Sequence, residues 1–229
     1  MNSDPKECCI LVPSRGRIDP ACEIGLKTLA QRGYQLRIMS GPWSIDQIRS
    51  QMATDALADG FRELFWIDDD VVFNPDDVDR LRCSDLPVIG GVYPKKGERE
   101  LAVRWKPSTT SVVLGEGGGI FEIQYAATGF LLTRAIVYST LAEKLLVDPN
   151  VIGHFGRRMA PYFQPMTVRD GDIERYLAED WSFCHRLAQA GIPIHVDTRP
   201  RLLHVGRYAY SWEDLIPREP MASLTVRID

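Results

Sequence analysis

Leu64-Phe65-Trp66-Ile67-Asp68-Asp69-Asp70-Val71-Val72-Phe73 is the stretch that decides the fold class. Four apolar residues run directly into three carboxylates and then back into apolar sequence, as expected where a buried strand leaves its sheet. Packing alone does not place acids there. Adjacent carboxylates repel one another and an unpaired buried charge is costly, so a cation is expected to neutralise them. A divalent metal with oxygen ligands is the simplest candidate. In a strand continuing through the acids, Asp68 and Asp70 share one side and Asp69 takes the other, which makes Asp68-x-Asp70 the ligand pair. A solvated acidic turn capping the next helix explains Asn74 to Asp77 but not the apolar frame of 68–70.

Outward from that stretch, strands and helices alternate. Cys9-Ile10-Leu11-Val12 is a short apolar run broken by Pro13-Ser14-Arg15-Gly16-Arg17. Asp19-Pro20 supplies a cap and a first-turn proline to a helix that stops near Gly33, with Ile24, Thr28 and Leu29 on one face. A strand over 34–39 follows. Ser44 and Gln47 then make a capping box for a helix whose Ile45, Ile48, Met52 and Ala56 keep helical spacing up to Gly60. Residues 63–68 form the third strand. Asn74-Pro75-Asp76-Asp77 opens a short helix with Val78 and Leu81 inward, and 86–92 is a fourth strand. Three alternations with short connections predict an α/β fold: a mostly parallel, Rossmann-like sheet with helices on both faces. Such sheets bind ligands beyond the carboxyl ends of their strands. Those ends are 13–17, 40–43, 68–70 and 93–96, so the arginine-bearing first loop and the three acids face one crevice.

Beyond Lys96 the pattern changes to a smaller antiparallel portion, with strands over 101–105, 111–114 and 120–125 and a flexible turn at Gly115-Glu116-Gly117-Gly118-Gly119. Residues 128–132 lead into a helix over about 135–146. Residues 149–171 form a long loop suited to a lid. A helix over 176–190 turns Asp180 inward beside Cys184 and Leu187. A strand over 192–196 follows, then an extended Leu202-Leu203-His204-Val205. The tail from Tyr208, with Trp212, Leu215 and Ile216, is expected to cover the surface or meet a partner.

At 229 residues the chain suits one domain with an elaborated second half. With 45% hydrophobic residues, 25% charged residues and a net charge of −4, it has an ordinary soluble composition and no electrostatic case for a nucleic acid partner. The five cysteines have no C-x-x-C spacing, which argues against a zinc site and a secreted disulfide framework. The first residues carry no basic segment leading into an apolar run, and no membrane span is found. A cytoplasmic protein with reduced thiols is expected.

Together these pieces resemble nucleotide-sugar-dependent glycosyltransferases of the GT-A fold over about residues 9–207. Asp68-x-Asp70 is similar to that fold's D-x-D metal motif, followed by Val88-Ile89-Gly90-Gly91-Val92-Tyr93-Pro94-Lys95-Lys96. Glu179-Asp180-Trp181-Ser182-Phe183-Cys184 is similar to the E-D pair opening the acceptor-side helix, and His204-Val205-Gly206 lies where such enzymes place a further metal ligand. In related sequences the second helix carries Arg-Asn facing the nucleotide; here it is Arg49-Ser50. The resemblance implies one GT-A-like domain over 1–229, with a nucleotide-binding half at about 8–96, an acceptor half at about 97–207 and a tail at 208–229.

The resemblance also implies roles. Mn2+ or Mg2+ is held by Asp70 and His204, with Asp68 reaching the ribose, a metal-bound water or the metal itself. Pro13, Ser14, Arg17, Arg49, Asp68 and Asp69 form the donor side for a UDP- or GDP-linked sugar. Thr128, Gly129 and Glu179 line the acceptor side, and the acceptor is a hydroxyl on a glycan or small molecule. Asp180 is the general base, or positions the acceptor if configuration is retained; a helix cap for residues 182 and 183 is the plain alternative. His204 also suits a core histidine. Lys95, Lys96, Arg99 and Arg104 read as a solvated charge run. Two other classes are open. Asp68-Asp69-Asp70-Val71-Val72 fits the start of haloacid-dehalogenase-type phosphatases, although Tyr176 stands where the second Asp after Gly171-Asp172 belongs. The other is a non-catalytic nucleotide-sugar-binding module.

Overall fold

The computed structural model describes residues 4–144, 146–153, 155–206, 208–215 and 223–228. Its first half follows the predicted alternation: β1 (Cys8–Ser14), α1 (Pro20–Gln31), β2 (Gln35–Ser40), α2 (Ile45–Ala58), β3 (Glu63–Ile67), β4 (Val71–Val72), α3 (Pro75–Arg82) and β5 (Val88–Gly91). Then come β6 (Val103–Trp105), β7 (Ser111–Gly115), β8 (Ile120–Ala126), β9 (Phe130–Arg134), α4 (Ala135–Glu143), β10 (Val151–Ile152), β11 (Arg158–Met159), β12 (Met166–Asp170) and β13 (Ile173–Leu177). The chain closes with α5 (Glu179–Gln189), β14 (Ile194–Asp197), β15 (Leu203–Val205), β16 (Ala209–Tyr210) and β17 (Ser223–Arg227).

Eight strands form the central sheet in the order β2-β1-β3-β9-β5-β14-β8-β6. Only β9 and β8 oppose the common direction, so the sheet is mostly parallel. Unbroken apolar runs follow from burial on both faces. Leu64 and Trp66 of β3 join the core under α2, α4 and α5, while Phe65 and Ile67 join the core under α1 and α3. No helix among the described residues is long and apolar enough to cross a membrane.

Local signals account for most helix starts. Asp19 accepts the Ala21 N–H at 2.8 Å and Asn74 accepts that of Asp76 at 3.0 Å, each just ahead of a proline. Gly33 stops α1 with φ of 94°. Other expectations are corrected. The Ser44 side chain makes no capping bond. Leu29 is buried as expected, but Ile24 is exposed, and Cys22, Gly25 and Leu26 complete the buried face of α1. Tyr176 belongs to β13, so the last helix starts at Glu179.

The largest departure is β9, an antiparallel strand between β3 and β5 in a stretch to which the sequence pattern assigns no strand. The expected loop over 149–171 also holds the hairpin β10–β11 and the first strand of a second, β12–β13. Between them the backbone is stitched to α2 and α5: the N–H groups of Ala160, Phe163 and Met166 donate to the hydroxyls of Thr54, Ser50 and Ser182 at 3.0, 3.2 and 3.1 Å. In the tail, Trp212 is buried and β17 pairs with β7, whereas Ile216 lies outside the described residues.

Candidate functional site

The β3 ladder ends at Ile67 and the chain turns at once, with the Val71 N–H donating to the Asp68 carbonyl at 3.1 Å. This tight turn breaks the alternation expected to put Asp68 and Asp70 on one side. Each acid instead has its own partners. Asp68 Oδ1 accepts from Arg49 Nη2 at 2.8 Å. Asp69 Oδ2 accepts the Ser14 hydroxyl at 2.7 Å and the Arg15 N–H at 3.1 Å, tying the first loop to the acids. Asp70 meets the Lys96 ammonium and, at 3.4 Å, His204 Nε2. Protein cations thus balance part of the charge that the sequence pattern assigns to a metal.

His204 reaches Asp70 because β15 pairs antiparallel with β4, setting His204 opposite Val71, and because the Val205 N–H donates to the Asp70 carbonyl at 2.8 Å. Its Nδ1 lies 3.0 Å from the Pro94 carbonyl, which takes no hydrogen bond unless Nδ1 carries the proton. With Nδ1 donating there, the charged ring donates from Nε2 to the Asp70 carboxylate, whereas the neutral ring turns an Nε2 lone pair toward it, an arrangement that accommodates a cation. Burial pushes the Asp70 carboxyl up, yet the hydrogen bonds from His204 and Lys96 outweigh it and hold the group below its ordinary range. Asp70 and His204 are the side chains that would hold Mn2+ or Mg2+, with substrate oxygens and water needed to complete its shell. Asp68 is engaged by Arg49, and no group of three metal-binding side chains occurs among the described residues.

Arg49 joins the end of β3 to the start of α5. It is 3% exposed, and its guanidinium lies 5.9 Å from the Trp66 ring, 3.5 Å from the Thr128 carbonyl and 3.9 Å from Glu179 Oε1. Arg49 Nε and Thr128 Oγ1 are buried and have no hydrogen-bond partner among the described residues. Gly129 completes this corner. Its N–H donates to the Tyr93 hydroxyl at 2.9 Å and its carbonyl accepts the Asp68 N–H at 3.0 Å. A Cβ there falls 2.7 Å from Asp68 Oδ2 and closer still to the Tyr93 hydroxyl, so only glycine fits.

Asp180 stands in the first turn of α5. Its Oδ1 accepts the Trp181 N–H at 2.7 Å, while Ala178 occupies the cap position and its carbonyl takes the Ser182 N–H. Cys184 and Leu187 face the core as helical spacing requires. Burial, reinforced by the Glu179 charge, pushes the Asp180 carboxyl up to about 6, a value suited to a group that takes a proton near neutrality.

Of the first loop, Pro13 is buried in β1, Ser14 is held by Asp69, and Arg17 is exposed. Tyr93, Pro94 and Lys96 join the site without having been assigned to it from sequence. Their signal was position, since all three directly follow β5 at the sheet edge that carries the acids. Gly171-Asp172, which the phosphatase alternative needs beside Asp68, joins β12 to β13 in a separate two-stranded sheet.

No protein-family model matches the sequence, and no curated protein matches it. Solved structures do. The chain is similar in fold to A197 from STIV. The two share 16% identity with a TM-score of 0.54, over 93% of this chain and 98% of that one. Weaker likenesses include a glycosyltransferase involved in the glycosylation of the major capsid of PBCV-1, at 15% identity and TM-score 0.36 over 61% of this chain and 65% of that one. Another is UDP-glucose pyrophosphorylase complexed with UDP-glucose, at 10% identity and TM-score 0.43 over 86% of this chain and 92% of that one. The architecture is α/β, a mostly parallel central sheet flanked by helices, with small antiparallel sheets beside it.

Proposed function

We propose that the chain transfers a sugar from a UDP- or GDP-linked donor to a hydroxyl acceptor. One observation carries this reading: the buried Arg49 guanidinium spans Asp68, at the end of the parallel strands, and Glu179, beside Asp180. A raised-pKa carboxyl thereby faces the crevice where such sheets bind ligands. Asp180 takes the hydroxyl proton as the acceptor oxygen bonds to the anomeric carbon, and the bond from that carbon to the diphosphate oxygen breaks. Ser14 and Arg17 lie on the nucleotide side, and Lys96 brings positive charge to the diphosphate. Asp70 and His204 would hold a Mn2+ or Mg2+ ion, which would supply further positive charge at the leaving group. Thr128 and Gly129, both buried, back the acceptor floor from beneath and hold Arg49, Asp68 and Tyr93 in place.

Calorimetric titration of UDP and GDP, first with manganese and then with chelator, tests the donor side. Binding is expected only with metal, and Asp70→Asn is expected to abolish it; equal affinity in all conditions removes the metal assignment. Asp180→Asn is expected to keep donor affinity while sugar transfer falls about 100-fold, the usual scale for losing a positioned base. Unaltered transfer leaves Asp180 a structural residue.

A further inference from the structure

Beside Asp180 lies a groove of about 490 Å³ that the chemistry above does not use. It is lined by Arg104 from β6, Tyr125 from β8, Arg169 and Arg175 from the β12–β13 hairpin, and Trp181 and His185 from α5. Its volume is that of a small-ligand site. Trp181 directly follows Asp180, and its ring stacks on Tyr125 with centroids 4.9 Å apart and planes 10° from parallel. Tyr125 lies three residues before Thr128 on the acceptor floor, so the groove opens from the reacting end of α5.

The groove's charge opposes that of the whole chain. In a protein of net charge −4, three arginines line one cleft. Arg104 has no ion pair among the described residues, and Arg169 has only a 3.3 Å bond from its Nε to the Gly171 carbonyl. Glu174 stands opposite Arg169 in the hairpin register, yet no ion pair joins them. Exposed guanidinium groups over low-dielectric aromatic walls focus positive potential and match carboxylate or phosphate geometry. An aromatic wall takes the apolar face of a ring. Burial and the Arg186 charge push the His185 imidazole below its ordinary pKa, and its ring nitrogens offer partners for hydroxyls.

We propose that this groove is the acceptor subsite and that the acceptor is an anionic saccharide, its ring against Trp181 and Tyr125 and its carboxylate or phosphate on Arg104 and Arg169. This rests on the transferase reading, so both are measured on one preparation. The full chain is titrated by calorimetry with a galacturonate oligomer, a sugar phosphate, a neutral glucose oligomer and an oligonucleotide of matched charge. One anionic saccharide is expected to bind at least about tenfold more tightly than the neutral one, and which of the two does so identifies the anion. Arg104→Glu and Arg169→Glu, both at exposed positions, are each expected to lower that affinity about tenfold with Tm unchanged. Equal binding of the neutral oligomer, no effect of charge reversal, or an oligonucleotide bound as tightly as the saccharide overturns the proposal. UDP with manganese is titrated alongside. UDP binding without preference for anionic saccharide defeats the groove alone, whereas saccharide binding without UDP binding defeats the transferase reading.

Discussion

Asp180 shows at the scale of one residue how function and stability oppose each other. Its carboxyl titrates at about 6 in the folded chain, against about 3.9 in an unfolded one. The folded state therefore holds more protons between those values, and stability falls as pH rises through that window. Asp180→Asn removes this cost while its amide oxygen keeps the Trp181 N–H. The variant is expected to be about 1–3 kcal/mol more stable than the parent near pH 7.5, with the gap closing below about pH 4. Urea unfolding at both pH values reads the difference; equal gaps at the two values reject burial as the cause. The parent's transfer rate is expected to rise with pH through about 6, as the base loses its proton. Gly129→Ala is expected to do the reverse of the asparagine variant. Its Cβ pushes Asp68 off Arg49, costing about 1–3 kcal/mol and weakening UDP binding in the same titration. The three acids stood out in the sequence because apolar residues frame them. The bonds that Arg49, Ser14 and Lys96 make to them were not legible, since these lie 19, 55 and 26 positions away, and His204, 134 positions from Asp70, was brought beside it only by the resemblance.

Among the elements, legibility followed the strength of the local signal. Cap, proline and stop residues placed α1 and α3 closely because each acts within a few positions. The strand β9 left no such mark. A short apolar run that passes directly into a helix has no period to distinguish it, and its partners β3 and β5 are set by tertiary pairing. The segment 149–171 was misjudged for a related reason: its order comes from hydroxyls on α2 and α5. Limited proteolysis is therefore expected to begin at the exposed turns of the two hairpins and to spare 158–166. First cuts within 158–166, mapped by mass spectrometry, count against the stitching. Ser50→Ala removes the acceptor for the Phe163 N–H and is expected to cost about 1 kcal/mol or more, with new cleavage appearing near Phe163.

Across the whole molecule, the sheet separates its proposed binding edge from a charged clamp at the other end of β3. The acids follow the carboxyl end of the strand, whereas Glu63 opens it, 3% exposed and gripped by Arg82 and Arg134. Arg82 in turn donates to the Tyr34 hydroxyl and the Asp4 carbonyl, both at 2.9 Å, and Arg134 Nη2 donates to the Arg82 carbonyl at 2.9 Å. In sequence Glu63 marked only a strand boundary, because its partners come from α3 and from the end of β9. Removing one partner from a buried ionic set strands the rest, so Glu63→Gln is expected to cost about 3–5 kcal/mol. At about 2–4 °C per kcal/mol for a chain of this size, that lowers Tm by about 6–20 °C. The binding edge keeps its residues, so the rise in Tm produced by saturating UDP and manganese is expected to match the parent's, the same affinity giving the same stabilisation by mass action. Asp70→Asn inverts the pattern, with Tm near the parent's and no rise on adding ligand. Thermal melts of the three proteins with and without ligand separate the two edges. A Glu63→Gln protein that melts normally, or that loses its ligand response while still folded, shows that the clamp and the site are not separate parts of the sheet.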